Sequence, residues 1–324
     1  MVNKIHFGKR IAVLRRKAGL SQTDLAEKIG VTSQAVSKWE CGNAVPDIDT
    51  LLDLSHLYKV TINEMLEDID LLCELTGRET GHSGIAYFVP EQEQNHNIKW
   101  ANEIRNGRWI SRNWEQSRTV NPYMDNVGKQ IASCNGIILE IGAGPGGGYM
   151  PYILKANSDA TIIISDLSPT VVREWKNFLD KTVDSPNLYY AVFDFCNMPF
   201  KDNSIDIISD GGGIGNCEGE KSKALKEAFR VLKPGGKLVT STGFVNKETL
   251  AALPMEVQRV LLEKRPDIFE DLYEDTVLAG FSKIDSVISG CWYTDDDDST
   301  IADLARSLGA NLKFTSYTRY ATKE

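Results

Sequence analysis

Residues 136–166, GIILEIGAGPGGGYMPYILKANSDATIIISD, decide the fold. An isoleucine-rich run, GIILEI, leads straight into the glycine-rich turn GAGPGGG at 142–148, and a second run, TIIISD, closes the stretch. Near-continuous apolar runs of this length are the pattern of parallel strands buried on both faces. Glycine directly after such a strand supplies the left-handed backbone of a tight turn and lets main chain approach a ligand closely. The alternation continues with NLYYAVFD (187–194), SIDIISD (204–210) and GGKLVTST (235–242), separated by helical patterns. Strands alternating with helices predict a doubly wound α/β domain.

Outward from that core, the chain has 324 residues, which predicts about two domains. With 42% apolar and 25% charged residues it reads as an ordinary soluble globular protein. No apolar run approaches the ~18 residues of a membrane span. The amino terminus, MVNKIHFGKRIAVLRR, has no apolar secretory core, so a cytoplasmic location is expected. Six cysteines (41, 73, 134, 196, 217, 291) and four histidines are scattered without ligand spacing. Reduced thiols and no metal are the expectation.

The net charge of −9 is unevenly spread. Residues 1–40 hold eight Lys/Arg against three acids, and residues 68–324 carry −10. A basic head on an acidic body predicts an anionic partner for the head alone.

That head, 5–66, reads as five short helices. Phe7, Ile11, Leu14 and Ala18 form one inward stripe; Leu25, Ala26 and Ile29 a second; Val36 and Trp39 a third; Ile48, Leu51, Leu52 and Tyr58 a fourth. LSQTDLAEKIGVTSQAVSKWECG (20–42) is helix, glycine turn, helix. The second of these helices offers Ser33, Gln34, Ser37 and Lys38 opposite Val36 and Trp39, with Thr32 as its N-cap. Gln34 suits adenine and Lys38 guanine or phosphate, while Gln22 begins the preceding helix, near where a phosphate backbone would lie. SQTDLAEKIGVTSQAVSKWE and the trailing VTINEML resemble the Cro/CI-type helix-turn-helix domain of the lambda-repressor-like Xre family. The resemblance implies double-stranded DNA as partner and a homodimer on paired half-sites.

In the body, Gly142, Gly144 and Gly147 satisfy G-x-G-x-x-G, which dinucleotide enzymes share. Three further features separate the options: the acid Glu140 before the glycines, Asp166 ending the second strand 22 residues beyond Gly144, and Asp194 ending the third in FDFCNMPF. With MPFKDNSIDII, EAFRVLKPGGKLV and LAGFSKI, they resemble the class I S-adenosylmethionine-dependent methyltransferases, in particular the group that includes the quinone-biosynthesis enzymes. The resemblance implies a Rossmann-like domain whose last strand, in NLKFTSYTRYATK, is antiparallel. It implies S-adenosylmethionine as cofactor, with Glu140, Gly142, Gly144, Gly146, Asp166, Leu167, Asp194, Phe195 and Asp210 around it. Asp166 would take the ribose hydroxyls and Asp194 the adenine amino group, with a backbone N–H from Phe195.

No catalytic side chain stands out. Asp210 reads as a base, as a holder of the methionine ammonium, or as structural. Trp109, Arg112, Asn113, Trp114 and Tyr123 read as a lid or as core. The absence of an [N/D]-P-P-[Y/F/W] signature argues against DNA-adenine methylation. The predicted layout is a helix-turn-helix domain at 1–67, a linker at 68–98 and the methyltransferase domain at 99–324. The predicted function is a DNA-binding protein, suited to transcription regulation, that methylates a small-molecule or peptide acceptor. The other reading is a transcriptional regulator whose body binds S-adenosylmethionine only as sensor or dimerisation platform.

Overall fold

The computed structural model describes all residues except 1–3, 67–70, 79–83, 90–107, 184, 186, 218–219, 246, 265–270 and 297–299. The chain folds as two units, Met1–Thr80 with Val183–Leu188, and Gly81–Thr182 with Tyr189–Glu324.

In the first unit the five expected helices form: α1 (Lys4–Lys17), α2 (Gln22–Lys28), α3 (Ser33–Glu40), α4 (Ile48–Tyr58) and α5 (Ile62–Leu66), followed by α6 (Leu71–Thr76). Local chemistry sets their starts. Ser21 and Asp24 close a capping box on α2, Thr32 accepts the Ala35 N–H at the start of α3, and Asp47 accepts that of Thr50 on α4. Phe7, Ile11, Leu25, Val36, Trp39, Leu51, Leu54 and Met65 make the core. Three expected core positions lie outside it. Ala18 is exposed. Ile48 and Leu52 are exposed at 72% and 42% because α4 buries the stripe of Leu51 and Leu54 instead.

The second unit is built on a sheet of eight strands among the described residues, in the order β1-β4-β3-β2-β5-β6-β8-β7. The strands are β1 (Ala86–Tyr87), β2 (Ile137–Ile141), β3 (Thr161–Asp166), β4 (Leu188–Val192), β5 (Ile205–Asp210), β6 (Leu232–Val245), β7 (Ser282–Tyr293) and β8 (Lys313–Thr322). β2 pairs in parallel with β3 and β5, and β5 with β6. β8 lies antiparallel between β6 and β7. The fold is Rossmann-like, with the final antiparallel strand that the sequence led us to expect.

The helices of this unit are α7 (Arg108–Arg118), α8 (Pro122–Ala132), α9 (Met150–Ala156), α10 (Pro169–Thr182), α11 (Lys221–Val231), α12 (Lys247–Ala251), α13 (Met255–Lys264), α14 (Tyr273–Leu278) and α15 (Thr300–Ser307). Ile138, Leu139, Ile141, Ile162, Ile163, Ile164, Ile205 and Ile208 are fully buried, which is why these strands read as unbroken apolar runs.

The stretch expected to be linker, 68–98, lies largely outside the described residues. Its described parts are ordered: α6 forms at 71–76, and β1 pairs with β4 through Ala86↔Ala191 and Tyr87↔Val192. A two-residue strand leaves no periodicity to read, so the sheet gains an edge that the sequence did not announce. Among the described residues no helix is long and apolar enough to cross a membrane.

Candidate cofactor site and candidate nucleic-acid interface

The chain reverses direction in the sheet between β2 and β5, and the crevice beyond the carboxyl ends of such strands is where open α/β sheets bind ligands. Glu140, Asp166 and Asp210 stand at the ends of β2, β3 and β5, and Asp194 two residues beyond β4. They do different work.

Glu140 is completely buried. It accepts hydrogen bonds from Ser209 Oγ at 2.5 Å and the Tyr149 N–H at 3.3 Å, beneath the glycine turn. Burial pushes its carboxyl well above the usual range, and neighbouring Asp210 adds to this. Glu140 therefore anchors the turn from below and does not face the crevice as the sequence reading implied.

Gly142, Gly144, Gly147 and Gly148 all have positive φ. The turn is tied to β3: Ala143 N–H donates to Ser165 O at 2.9 Å, and Gly144 N–H to Asp166 Oδ2 at 2.8 Å. Trp175 Nε1 donates to Gly144 O at 2.8 Å. The other face of the turn is open. A Cβ added at Gly146 would meet nothing within 4 Å, and one at Gly144 only Gly142 O, at 3.9 Å.

Asp166 receives the Gly144 N–H on one oxygen and the Ser168 N–H, at 2.8 Å, on the other. Leu167 N–H also faces it, and burial still lifts its carboxyl above the usual range. Three N–H donors do not fill the roughly four lone-pair sites of the carboxylate, so acceptor capacity remains for ligand hydroxyls. Asp194 caps the short turn Phe195–Asn197, one oxygen accepting the Cys196 N–H at 2.8 Å. A Cβ on Gly142, where φ is +57°, would stand 3.2 Å from Gly213 Cα, and one on Gly213 3.1 Å from Asp210 Oδ1, so a side chain at either position crowds the two loops.

Asp210 is also fully buried. Its carboxylate takes the N–H groups of Gly212, Gly213 and Ile214 and the Thr240 hydroxyl, the last at 2.6 Å. With its lone pairs spent on the triglycine loop it is an anchor; neither the base nor the ammonium-holding reading fits this geometry. Burial raises it to about 6. A folded-state value above the unfolded ~3.9 means the native protein holds a proton that the unfolded chain has already released. Stability therefore falls as pH rises from about 4 to about 6, by at most ~3 kcal/mol. In Asp210→Asn the amide oxygen keeps the backbone donors and the NH2 turns to Thr240. Urea unfolding at pH 4 and pH 7 should show a smaller pH difference in this variant than in wild type.

In the aromatic segment before β2, Trp114 is core, Trp109, Asn113 and Tyr123 are half-buried, and Arg112 is exposed. Trp114 is buried edge-on to Phe178 with Arg118 stacked 3.9 Å over its ring. Asn113 reaches the turn, donating to Pro145 O at 3.1 Å. The Tyr123 hydroxyl is buried without a hydrogen-bond partner, and so is that of Thr242 on β6, which the sequence reading did not single out. That reading also found no partner for Cys217, yet Cys196 Sγ lies 3.8 Å from Cys217 Sγ. A cavity of about 400 Å³, lined by Cys134, Asp206, Lys233 and Tyr320, opens at the amino ends of the strands, away from all these groups.

In the first unit, Thr32, Ser33, Gln34 and Lys38 are exposed on one side of α3 and Ser37 is half-buried there, while Val36 and Trp39 are buried on the other. Gln22 is held rather than free: its Nε2 donates to Glu40 Oε2 at 2.7 Å. Arg15 chelates the same carboxylate at 2.7 and 3.0 Å and donates to Leu20 O. The Arg15 charge is thus spent on locking α1, α2 and α3 together.

Residues 11–65 match the helix-turn-helix family, and residues 139–240 match the methyltransferase-domain family. The chain joins these two domains. The methyltransferase domain is 34% identical over 134 residues to the ubiquinone/menaquinone biosynthesis C-methyltransferase UbiE of Rickettsia bellii (strain OSU 85-389), covering 40% of this chain and 52% of that protein. It is 35% identical over 120 residues to the enzyme of the same name from Rickettsia felis, covering 36% and 48%. The chain thus spans about half the length of these curated relatives. Among solved structures, Haemonchus contortus phosphoethanolamine N-methyltransferase 2 in complex with S-adenosyl-L-methionine aligns at 18% identity and a TM-score of 0.49, over 73% of this chain and 60% of that one.

Proposed function

We propose that the chain is a DNA-binding, S-adenosylmethionine-dependent methyltransferase acting on a small-molecule or peptide acceptor, with a DNA-binding domain at 1–67 and a methyltransferase domain that takes in β1 (Ala86–Tyr87) as well as 99–324. One observation carries the reading: Asp166, still able to accept from ligand hydroxyls, is pinned to the Gly142–Gly148 turn, whose other face is open, with Asp194 at the neighbouring strand.

The bound cofactor would supply a sulfonium methyl group ready for in-line displacement. Asp166 accepts the ribose hydroxyls. Asp194 accepts the adenine amino group through the carboxylate oxygen not used by Cys196, and Phe195 offers its backbone N–H. Gly142, Gly144 and Gly146 let main chain close on the methionine portion, and Leu167 flanks the ribose. Glu140 and Asp210 hold the two loops from beneath and touch no substrate. The chain's contribution to rate is then positioning the acceptor and excluding water, and Tyr123 and Thr242 are the buried hydroxyls available to an acceptor. The enzymatic half is tested by incubating the chain with labelled S-adenosylmethionine and fractionated small molecules and peptides. Label in one acceptor fraction supports it; label in none, with cofactor bound, removes the catalytic claim.

The head reads duplex DNA through α3, as a homodimer on an inverted repeat. The acidic body adds no phosphate contacts, so binding weakens with salt by a slope near −0.9 per phosphate neutralised. Gln34→Ala should lose on the order of 1–3 kcal/mol on the cognate site and little on random DNA, because it removes base readout and not charge. Gel-shift titrations on the gene's upstream region at two salt concentrations decide this. Equal weakening on both DNAs would rule out α3 as the reading element.

A further inference from the structure

Two unsatisfied polar groups share one face of the β6–β8 pair. Arg319 is 2% exposed, and its Nη2 donates to Asp271 Oδ1, yet among the described residues its Nε and Nη1 have no hydrogen-bond partner. The Thr242 hydroxyl is likewise buried and unpartnered. Residues directly opposed in an antiparallel pair lie on the same face, as do positions two apart along a strand. Arg319 opposes Thr240 and Tyr317 opposes Thr242, so these four side chains share a face. We propose that Arg319 and Thr242 bind an anionic group, a carboxylate or a phosphate, carried by the methyl acceptor. Calling the ligand the acceptor rests on the methyltransferase reading; the anion site itself does not.

Place is the first argument. Thr240 donates to Asp210 Oδ2 at 2.6 Å, and Asp210 holds the triglycine loop at the carboxyl end of β5. The Arg319 backbone is therefore two strand spacings, about 10 Å, from that end. Thr242 is one row further along β6. A Cβ on Gly215, in the loop after β5, would meet its Cγ2 at 3.3 Å and its Oγ1 at 3.6 Å. Both groups stand beside the crevice where open α/β sheets take their ligands.

Charge is the second. One N–H on Nε and two on Nη1 are unused, and a buried donor without a partner is costly. Burial pulls the guanidinium below its ordinary value despite Asp271 and Tyr317, so these neighbours do not replace the lost water. A guanidinium still charged at neutral pH matches an oxyanion, through hydrogen bonds roughly twice as strong as neutral ones. The Tyr317 ring, 5.4 Å from the guanidinium carbon and stacked on Phe244, supports the side chain and leaves those donors free for a ligand.

The test compares thermal unfolding of the full chain in sodium chloride, acetate and phosphate at equal ionic strength. Wild type should gain stability in acetate or in phosphate, which tells the two oxyanions apart, and Arg319→Met should lose that gain. Generic salt stabilisation acts on both proteins alike, so the difference between them is the readout. In chloride, Arg319→Met should unfold no lower than wild type, because the unpaired charge is gone and Asp271, 42% exposed, returns to water. Thr242→Val keeps the side-chain shape and should keep the chloride midpoint. It should raise the KM of the acceptor that takes labelled methyl by roughly 2–10-fold, with cofactor affinity unchanged. Equal anion shifts in wild type and Arg319→Met, a lower chloride midpoint in Arg319→Met, or an unchanged acceptor KM in Thr242→Val would overturn the proposal. No binding of S-adenosylmethionine, with the anion shift intact, would instead overturn the acceptor reading and leave the anion site standing.

Discussion

Gly148→Ala should destabilise the chain by about 2–5 kcal/mol, a large part of the 5–15 kcal/mol that holds a typical domain together. Its φ is +55°, which costs an alanine roughly 1–2 kcal/mol. Its new Cβ would sit 1.8 Å from Glu140 Oε1. Glu140 has no solvent to retreat into, so it must give up Ser209 or the Tyr149 N–H, at about 1–3 kcal/mol for a buried group left unpaired. Gly146→Ala, with open space and no positive φ, is the control. Its stability should stay within about 0.5 kcal/mol of wild type, while cofactor affinity falls because the cradle is filled. Urea unfolding separates the two. If Gly148→Ala unfolds at the wild-type midpoint, Glu140 is not the anchor of the turn.

Asp166→Ala should nearly abolish cofactor binding. Two hydrogen bonds to a charged acceptor, at about 1.5–3 kcal/mol each, amount to a loss of roughly 10²–10⁴ in affinity. A ligand at 100 times its dissociation constant stabilises the native state by about 2.7 kcal/mol, and that shift should vanish. The exposed Asp295→Ala should retain it in full. Thermal unfolding with and without S-adenosylhomocysteine reads both variants. Equal shifts would sink the ribose assignment.

What the sequence showed, it showed through spacing along the chain. The five helices of the head carry their own period and caps, and the isoleucine runs with Asp166 after Gly144 define the parallel core. Partnerships across the fold were not legible. Arg15 counts toward the basic charge of residues 1–40, but its partner Glu40 is 25 residues away and reaches it only once α1 and α3 pack. Glu140 and Asp210 looked like ligand-facing strand-end acids because nothing local reveals that backbone N–H groups and hydroxyls already surround them. Ile48 and Leu52 fit a helical stripe, but which stripe α4 buries depends on the helices around it. Cys196 and Cys217 are 21 residues apart with β5 between them, so only the crossover brings them together.

Which cofactor the glycine turn and Asp166 accept is the central question, since dinucleotide enzymes share the glycine pattern. Calorimetric titration of the full chain with S-adenosylmethionine, and separately with NADH, decides it. One S-adenosylmethionine site per chain and no heat with NADH is the predicted result. Saturable binding of NADH, or none of S-adenosylmethionine, would contradict it.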